Sequence, residues 1–490
     1  MYISKVVIRN YKNFRNCKFE FNKGINTIIG ENGSGKTNLF AAIRLLLDDN
    51  LLKFAYKLNE NDFNRSLPNW KGHWIIISIE FSELSYDESI QALFVHSTGN
   101  ITSVDRATYN LFFRPKHEIR LRFAQLERND TDSLNAILDS LSIHDYETVF
   151  TGKSTVDFSD DNIYTQLVGD FENVNFPNGI DESLYGVKIP HQLSISNEIS
   201  FTFIKALRDV VSDFHSNKIN PLLLLLRSKS DDISDEELEE VRTHIRTLNA
   251  GIENLSDVIE INNDIKSTIK EAVGHTYAPS SLSIKSNLSE ETNRLLQSLQ
   301  LFISEPNETH EGAIHELSLG GANLIYLTLK LLEYKYSSRR DTFANFLLIE
   351  EPEAHIHTHI QKTLFENLDY GDTQIIYSTH STHIADVSKI SNMNILAKKI
   401  NYAEVYQPSN GLEPEKITKL ERYLDAVRSN LLFAKGVLLV EGDAEAIFIP
   451  TLIRKVLGIS LDELGISLIN IGSVKRSAKL GSIKIKKSYI

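Results

Sequence analysis

Residues 30 to 37, Gly30-Glu31-Asn32-Gly33-Ser34-Gly35-Lys36-Thr37, set glycines, a lysine and a hydroxyl at the spacing that wraps a phosphate chain. Phosphates approach the main chain closely, so the loop must turn its N–H groups inward, and glycine tolerates the torsions this needs. Gly30, Asn32, Gly33 and Gly35 would wall the cradle. Lys36 would pair with the β- and γ-phosphates of a nucleotide, and the Thr37 hydroxyl would hold Mg²⁺. The apolar run at 25–29 reads as a strand leading in. "TNLFAAIRLLLDD" reads as a helix leading out, with Leu39, Ala42, Ile43 and Leu46 at helical spacing and a positive N-terminal end.

Three later stretches carry matching chemistry. In "NFLLIEEPEAHIHT", the apolar run Phe346 to Ile349 delivers Glu350 and Glu351 to its C-terminal end, where ligands sit in an open α/β sheet. One carboxylate can share a Mg²⁺ shell while its neighbour polarises the attacking water. An acidic helix start would also favour carboxylates there, but leaves the apolar strand before them unexplained. "ELSLGGANLIYL" puts Ser318, Gly320 and Gly321 at the start of a helix, a second phosphate cradle. One nucleotide needs one cradle, so the second points to a head-to-tail dimer in which each chain closes on the other's nucleotide. "IIYSTHSTHI" ends an apolar strand in Ser378-Thr379-His380, from which His380 could reach the γ-phosphate. His355, His357 and His359 alternate along a helical run, face different ways and do not suit a single metal ion.

The elements that must position these residues follow from periodicity. Strands are expected at Ile3–Ile8, Phe19–Phe21, 25–29, 74–84, Phe346–Ile349, Gln374–Ser378, Gly436–Val440 and Ser467–Ile471. Helices are expected at Gly320–Glu333, near 355–368, and over "LERYLDAVRSNLLFA". Strands alternating with helices imply a mostly parallel sheet. From about 125 to 300 the chain is richer in Asp, Asn and Ser. There Leu238, Val241, Ile245, Leu248, Ile252, Leu255 and Ile259 form a narrow seam, with Ser234 and Glu237 at capping-box spacing before it. This reads as a helical hairpin or dimerising helix pair, or equally as a surface helix packed on its own domain. A polar bridge covers 400–420.

A chain of 490 residues exceeds one ordinary core. Its 41% hydrophobic and 24% charged residues are globular values, and a net charge of −13 excludes an overall basic surface. Any nucleic-acid contact must be local. Lys5, Arg9, Lys12, Arg15 and Lys18 could form one, or could be a solvated strand face. Cys17 is the single cysteine, which rules out an internal disulfide and fits a reducing cytosol. The N-terminus lacks a signal-peptide core, and the longest aliphatic run, Leu222 to Leu226, is far short of a membrane span. The expectation is a soluble, cytoplasmic protein without a membrane partner.

The order GENGSGKT, LSLGG, LLIEEPEAHIH, YSTHS, after the opening "ISKVVIRNYKNFRNCKFEF", resembles the ABC-type ATPase heads of the RecF/SMC group. The resemblance covers about 1–120 and 300–400. It implies ATP and Mg²⁺ as ligands, with Ser318, Gly320 and Gly321 as a signature loop acting across a homodimer. It also implies Glu350 for Mg²⁺, Glu351 for water activation and His380 as the switch histidine. Glu350 stands where many such ATPases carry Asp, and Thr358 where the similar run often has proline.

One further stretch, "FAKGVLLVEGDAEAIFIPTLI", again ends an apolar strand in an acid, Glu441. Gly442 lets the chain turn, and Asp443 and Glu445 open a helix. The acids could cap that helix, or Glu441 and Glu445 could meet at a divalent metal, Mg²⁺ or Mn²⁺. After an ATPase head it looks like the start of a Toprim domain, and the combination resembles the OLD family of ATP-dependent DNA endonucleases. That resemblance implies DNA as partner, a homodimer or higher homo-oligomer, a possible accessory protein, and Glu441, Asp443 and Glu445 as the first metal-binding cluster. The family's second acidic cluster has no counterpart in "GSVKRSAKLGSIKIKKSYI", so the nuclease half is expected to be incomplete in this chain. The basic tail residues Lys475, Arg476, Lys479, Lys484, Lys486 and Lys487 could contact a DNA backbone, or the tail could be out-of-frame translation of a truncated gene, the slightly favoured expectation.

The expected fold is α/β, an ABC-type ATPase head with a mainly helical insertion followed by a partial Toprim α/β domain. Its boundaries are 1–125 and 301–400 for the two parts of the head, 126–300 for the insertion, 401–432 for a linker and 433–490 for the Toprim part. The alternative to a nuclease is an ABC-type ATPase switch in DNA repair or phage defence that cuts nothing itself.

Overall fold

The computed structural model describes residues 1–84, 106–179, 185–189, 199–206, 214, 220–229, 235–273, 299, 301–303, 312–313, 319–337, 342–354, 371–424 and 428–470. The chain divides into two compact units, Met1–Leu207 with Arg339–Ile490, and Arg208–Ser338.

The strands are β1 (Tyr2–Tyr11), β2 (Phe14–Glu20), β3 (Ile25–Gly30), β4 (Ile75–Ser82), β5 (Arg106–Pro115), β6 (Tyr146–Gly152), β7 (Val187–Lys188), β8 (Ile199–Ile204), β9 (Phe302–Ile303), β10 (Gly312–Ala313), β11 (Ala344–Glu350), β12 (Thr373–Thr379), β13 (Met393–Lys398), β14 (Ala403–Tyr406), β15 (Gly436–Val440) and β16 (Ile466–Asn470). Among the described residues, the first unit builds a 12-stranded sheet in the order β7-β6-β5-β4-β1-β2-β14-β13-β3-β12-β11-β8. From β7 to β2 neighbours run antiparallel, and from β13 to β8 they run parallel. Strand β14 joins the halves, parallel to β2 and antiparallel to β13. The buried Cys17 thiol donates to the Ala403 carbonyl across that seam, at 3.1 Å.

The parallel strands read as unbroken apolar runs because both faces are covered. Phe346, Leu347, Leu348 and Ile349 of β11 are fully buried, each side chain contributing roughly 1.5–3 kcal/mol. The helix Lys36–Leu47 packs on the sheet through Leu39, Ala42, Ile43 and Leu46, the positions its spacing predicts, and all four are fully buried.

Several elements differ from the sequence reading. Strands β6, β7 and β8 lie inside the stretch expected as an insertion yet belong to the main sheet, and the second unit starts at Arg208. The bridge at 400–420 contains β14, a strand of the sheet's interior, and part of the helix Pro414–Tyr423. The helix expected over 420–434 ends at Tyr423, and a 3-10 turn follows at Arg428–Leu432. Such short segments are fixed by partners far away in sequence, which local periodicity does not register.

In the second unit the apolar seam is split between helices Asp235–Glu253 and Ser256–Val273. Val241, Leu248, Leu255 and Ile259 of that seam are all exposed. Ser234 and the helix expected near 355–368, with its three histidines, lie outside the described residues. No helix among the described residues is long and apolar enough to cross a membrane.

Candidate functional site

The C-terminal ends of β3, β12 and β11 lie level. Ile28 pairs with Ser378, and Ser378 with Glu350. This register brings the loop after β3, the Thr379-His380 corner and the two carboxylates to one edge of the sheet.

Each glycine of the loop answers to a constraint. A side chain on Gly30 would meet the Leu396 carbonyl of β13 at 2.8 Å. Gly33 and Gly35 hold φ of +74° and +113°, the left-handed region that other residues avoid. A methyl group on Gly35 would also overlap the amide of Asn13, which lies in the β1–β2 turn. Asn13 Nδ2 donates to the Ser34 carbonyl at 2.6 Å, and its Oδ1 accepts from Asn38 Nδ2 at 2.7 Å. The buried Ser34 hydroxyl has no partner among the described residues. Asn32 is exposed at the loop's tip.

Lys36 is buried; its Nζ donates to the Gly30 and Glu31 carbonyls at 3.0 and 3.3 Å and lies 2.6 Å from His380 Nε2. Burial lowers its pKa to about 8, against the opposing pull of Glu351, Glu353 and Glu350. Nε2 of His380 also lies 3.0 Å from Glu351 Oε1. Glu351 has a φ of +45°, a strain on the order of 1 kcal/mol, and its N–H donates to the Ser378 carbonyl at 3.1 Å. Thr37 Oγ1 donates to Glu350 Oε1 in a short contact. Two hard oxygen donors already touch there, a set that suits Mg²⁺.

Two residues of this site carried no role in the sequence reading. Asn13 sits in a polar turn with no signal of its own. Glu353 lies in the quoted stretch after β11, three residues beyond Glu350. Its Oε1 accepts from the His380 N–H at 2.6 Å and from Thr379 Oγ1 at 2.9 Å, so it fixes the corner that presents the histidine. Desolvation raises its carboxyl pKa, partly offset by those hydrogen bonds.

The second cradle is only partly described. Gly320 and Gly321 lie in the first turn of the helix Leu319–Ser337 of the second unit, and Ser318 lies outside the described residues. The basic residues of β1, β2 and the turn between them are largely neutralised. Lys5 pairs with Glu80 at 2.8 Å, Lys12 with Asp62 at 2.6 Å, Lys18 with Glu20 at 3.1 Å, and Arg9 with Asp161.

The downstream acids are arranged locally. Strand β15 runs parallel to β16, and the helix Asp443–Leu457 connects them. Glu445 Oε2 accepts from the N–H groups of Glu441 and Gly442 at 3.1 and 2.7 Å, capping its own helix. Asp443 Oδ1 accepts from Asn470 at 2.7 Å. Among the described residues no group of three His, Cys, Asp or Glu side chains could hold a metal ion. In this arrangement the three acids do not fit a shared metal.

A glycine loop between a strand and a helix, with lysine, paired carboxylates and histidine at one sheet edge, defines a P-loop ATPase. The chain belongs to the AAA ATPase domain family, whose model matches residues 1–385. The model of the overcoming lysogenization defect protein-like TOPRIM domain matches residues 432–484. The chain is 21% identical over 467 residues to "Endonuclease GajA" of Bacillus cereus strain VD045, spanning 93% of this chain and 68% of that one. It is 34% identical over 106 residues to the "OLD nuclease" of Thermus scotoductus, 20% of each chain. Among solved structures it is similar to the SMC head domain from Thermotoga maritima, with a TM-score of 0.34 and 12% identity over 83% of this chain and 99% of that one. The protein is thus an OLD-like ATPase with a TOPRIM domain, and endonucleases are among its relatives.

Proposed function

We propose that ATP binds at Lys36 and Thr37 and is hydrolysed there, with the energy controlling an action on DNA. The contact set that carries this reading is Lys36–His380–Glu351 beside Thr37–Glu350. Thr37 and Glu350 would hold Mg²⁺, which supplies charge neutralisation of the β- and γ-phosphates when bound. In this arrangement Lys36 Nζ and Glu351 Oε1 meet at the same nitrogen, Nε2 of His380, which ties the phosphate-binding lysine to the carboxylate. A triphosphate draws the Lys36 ammonium away. Glu351 is then placed to accept the proton that the attacking water gives up as its oxygen bonds to the γ-phosphorus and the bond to ADP breaks. Glu353 keeps His380 in place through its backbone N–H.

Ser318, Gly320 and Gly321 act as the signature loop of a partner copy, in a cytoplasmic homodimer or higher oligomer. DNA cleavage by the TOPRIM part is the leading reading, supported by the endonuclease relatives. Two of the three candidate metal acids, Asp443 and Glu445, are engaged in local hydrogen bonds. That observation favours a second reading, an ATPase switch in repair or phage defence that does not cut by itself.

One assay separates the two readings. Supercoiled plasmid is incubated with the chain, Mg²⁺ or Mn²⁺, with and without ATP, while ATP turnover is read in the same tubes. Nicking that Glu441→Ala abolishes supports the nuclease. ATP turnover that Lys36→Ala removes, without nicking, supports the switch. Absence of both overturns the proposal.

A further inference from the structure

Beside the antiparallel half of the sheet lies a half-open pocket of about 340 Å³ that the ATP site does not use. Two arginines in its lining, Arg114 and Arg120, carry charge that one carboxylate behind them only partly balances. Arg114 of β5 stands opposite Glu147 of β6 in the strand register, and its Nε donates to Glu147 Oε1 at 3.0 Å. Arg120, from the helix His117–Ala124, reaches the same carboxylate oxygen at 3.9 Å. Two guanidinium groups thus share one carboxylate.

These donors are not satisfied. Arg114 is 8% exposed, and its Nη1, the Nε and Nη1 of Arg120 and the Tyr185 hydroxyl are buried without a hydrogen-bond partner among the described residues. Leaving buried charged donors unmatched is costly. Burial, and then the like charge of Arg114, lowers the Arg120 pKa to about 10, so added negative charge here would be welcomed. Aromatic rings supply much of the rest of the lining. The Arg114 guanidinium lies 4.8 Å from the Tyr185 ring and 5.5 Å from the Trp74 ring, while Phe123 and Phe176 stack at 5.0 Å. A volume near the lower end of small-ligand pockets, lined by aromatic rings and by two arginines that share one carboxylate, has the ingredients of a binding site.

We propose that this cavity binds a small organic anion: a carboxylate or phosphate held by Arg114, Arg120 and Tyr185, with a planar apolar body against Trp74 and Tyr185. Cation–π packing alone accounts for the aromatic contacts but leaves the free donors without purpose. The ligand's charge could come from either oxyanion, and the test distinguishes them.

Binding of benzoate, phenyl phosphate, inorganic phosphate and neutral benzamide to the full-length chain would be measured by calorimetry, with Lys36→Ala as background so that phosphate does not enter the nucleotide loop. The expected result is binding of benzoate or phenyl phosphate at least tenfold tighter than of inorganic phosphate or benzamide. Arg120→Gln should weaken it at least tenfold. Should that variant misfold, Tyr185→Phe, which removes only the unpartnered hydroxyl, should still weaken binding severalfold. No binding of either aromatic anion, binding unchanged in both variants, or equal binding of benzamide would overturn the proposal.

Discussion

Lys36 allows a quantitative test of the site's electrostatics. Burial holds its ammonium pKa at about 8 in the free protein. A triphosphate brings negative charge to the same nitrogen and raises that value, so above about pH 8 binding must take up a proton. Between about pH 7 and about pH 9 the protonated fraction of Lys36 falls from roughly nine-tenths to roughly one-tenth, and ATP affinity should fall about tenfold, ~1.4 kcal/mol. Folding stability should move the opposite way. The native pKa lies below the unfolded one, so the unfolded chain holds more protons between about pH 8 and the ordinary lysine value, and stability rises with pH across that window. Calorimetry in buffers of different ionisation enthalpy reads both Kd and the protons taken up. Lys36→Arg is the control: its guanidinium keeps its proton, so its profile should be flat at whatever affinity it retains. A flat wild-type profile, or an equal slope in Lys36→Arg, would refute the reasoning.

Three other outcomes are expected. Gly35→Ala combines a φ of +113° with overlap on Asn13, and should abolish detectable ATP binding in a nucleotide-binding assay while the protein still folds. Glu353→Ala removes the acceptor for His380 N–H and Thr379 Oγ1. It should lower kcat about tenfold, ~1.4 kcal/mol, with KM for ATP little changed, and Glu353→Gln should restore most of it because position, not charge, is needed. Leu348→Ala, at a fully buried site of β11, should cost about 2–5 kcal/mol in denaturant unfolding.

The candidate nucleotide site was legible in the sequence because its determinants are local. Glycine torsions, a strand before and a helix after are written into one stretch, and the acids and His380 each end a long apolar run. The rest depended on distant partners. Strands β6 and β8 are held by pairings such as Leu111 with Phe150 and Ala344 with Ile199, which no local period encodes. Strand β14 is only Ala403–Tyr406 and sits among polar residues, yet it joins the two halves of the sheet. Asn13 was invisible because its role is a contact with Ser34, 21 residues on. The acids after β15 show the reverse limit. Capping and metal binding ask for the same residues at the same spacing, and here Glu445 caps.

The most direct test of the central claim is ATP turnover by Glu351→Gln with ATP affinity measured on the same sample. The variant keeps size and shape but removes the base. Turnover should fall about 10²–10⁴-fold, while affinity stays within about threefold. Undiminished turnover, or loss of turnover only in proportion to lost binding, would contradict the assignment of this sheet edge as the hydrolytic site.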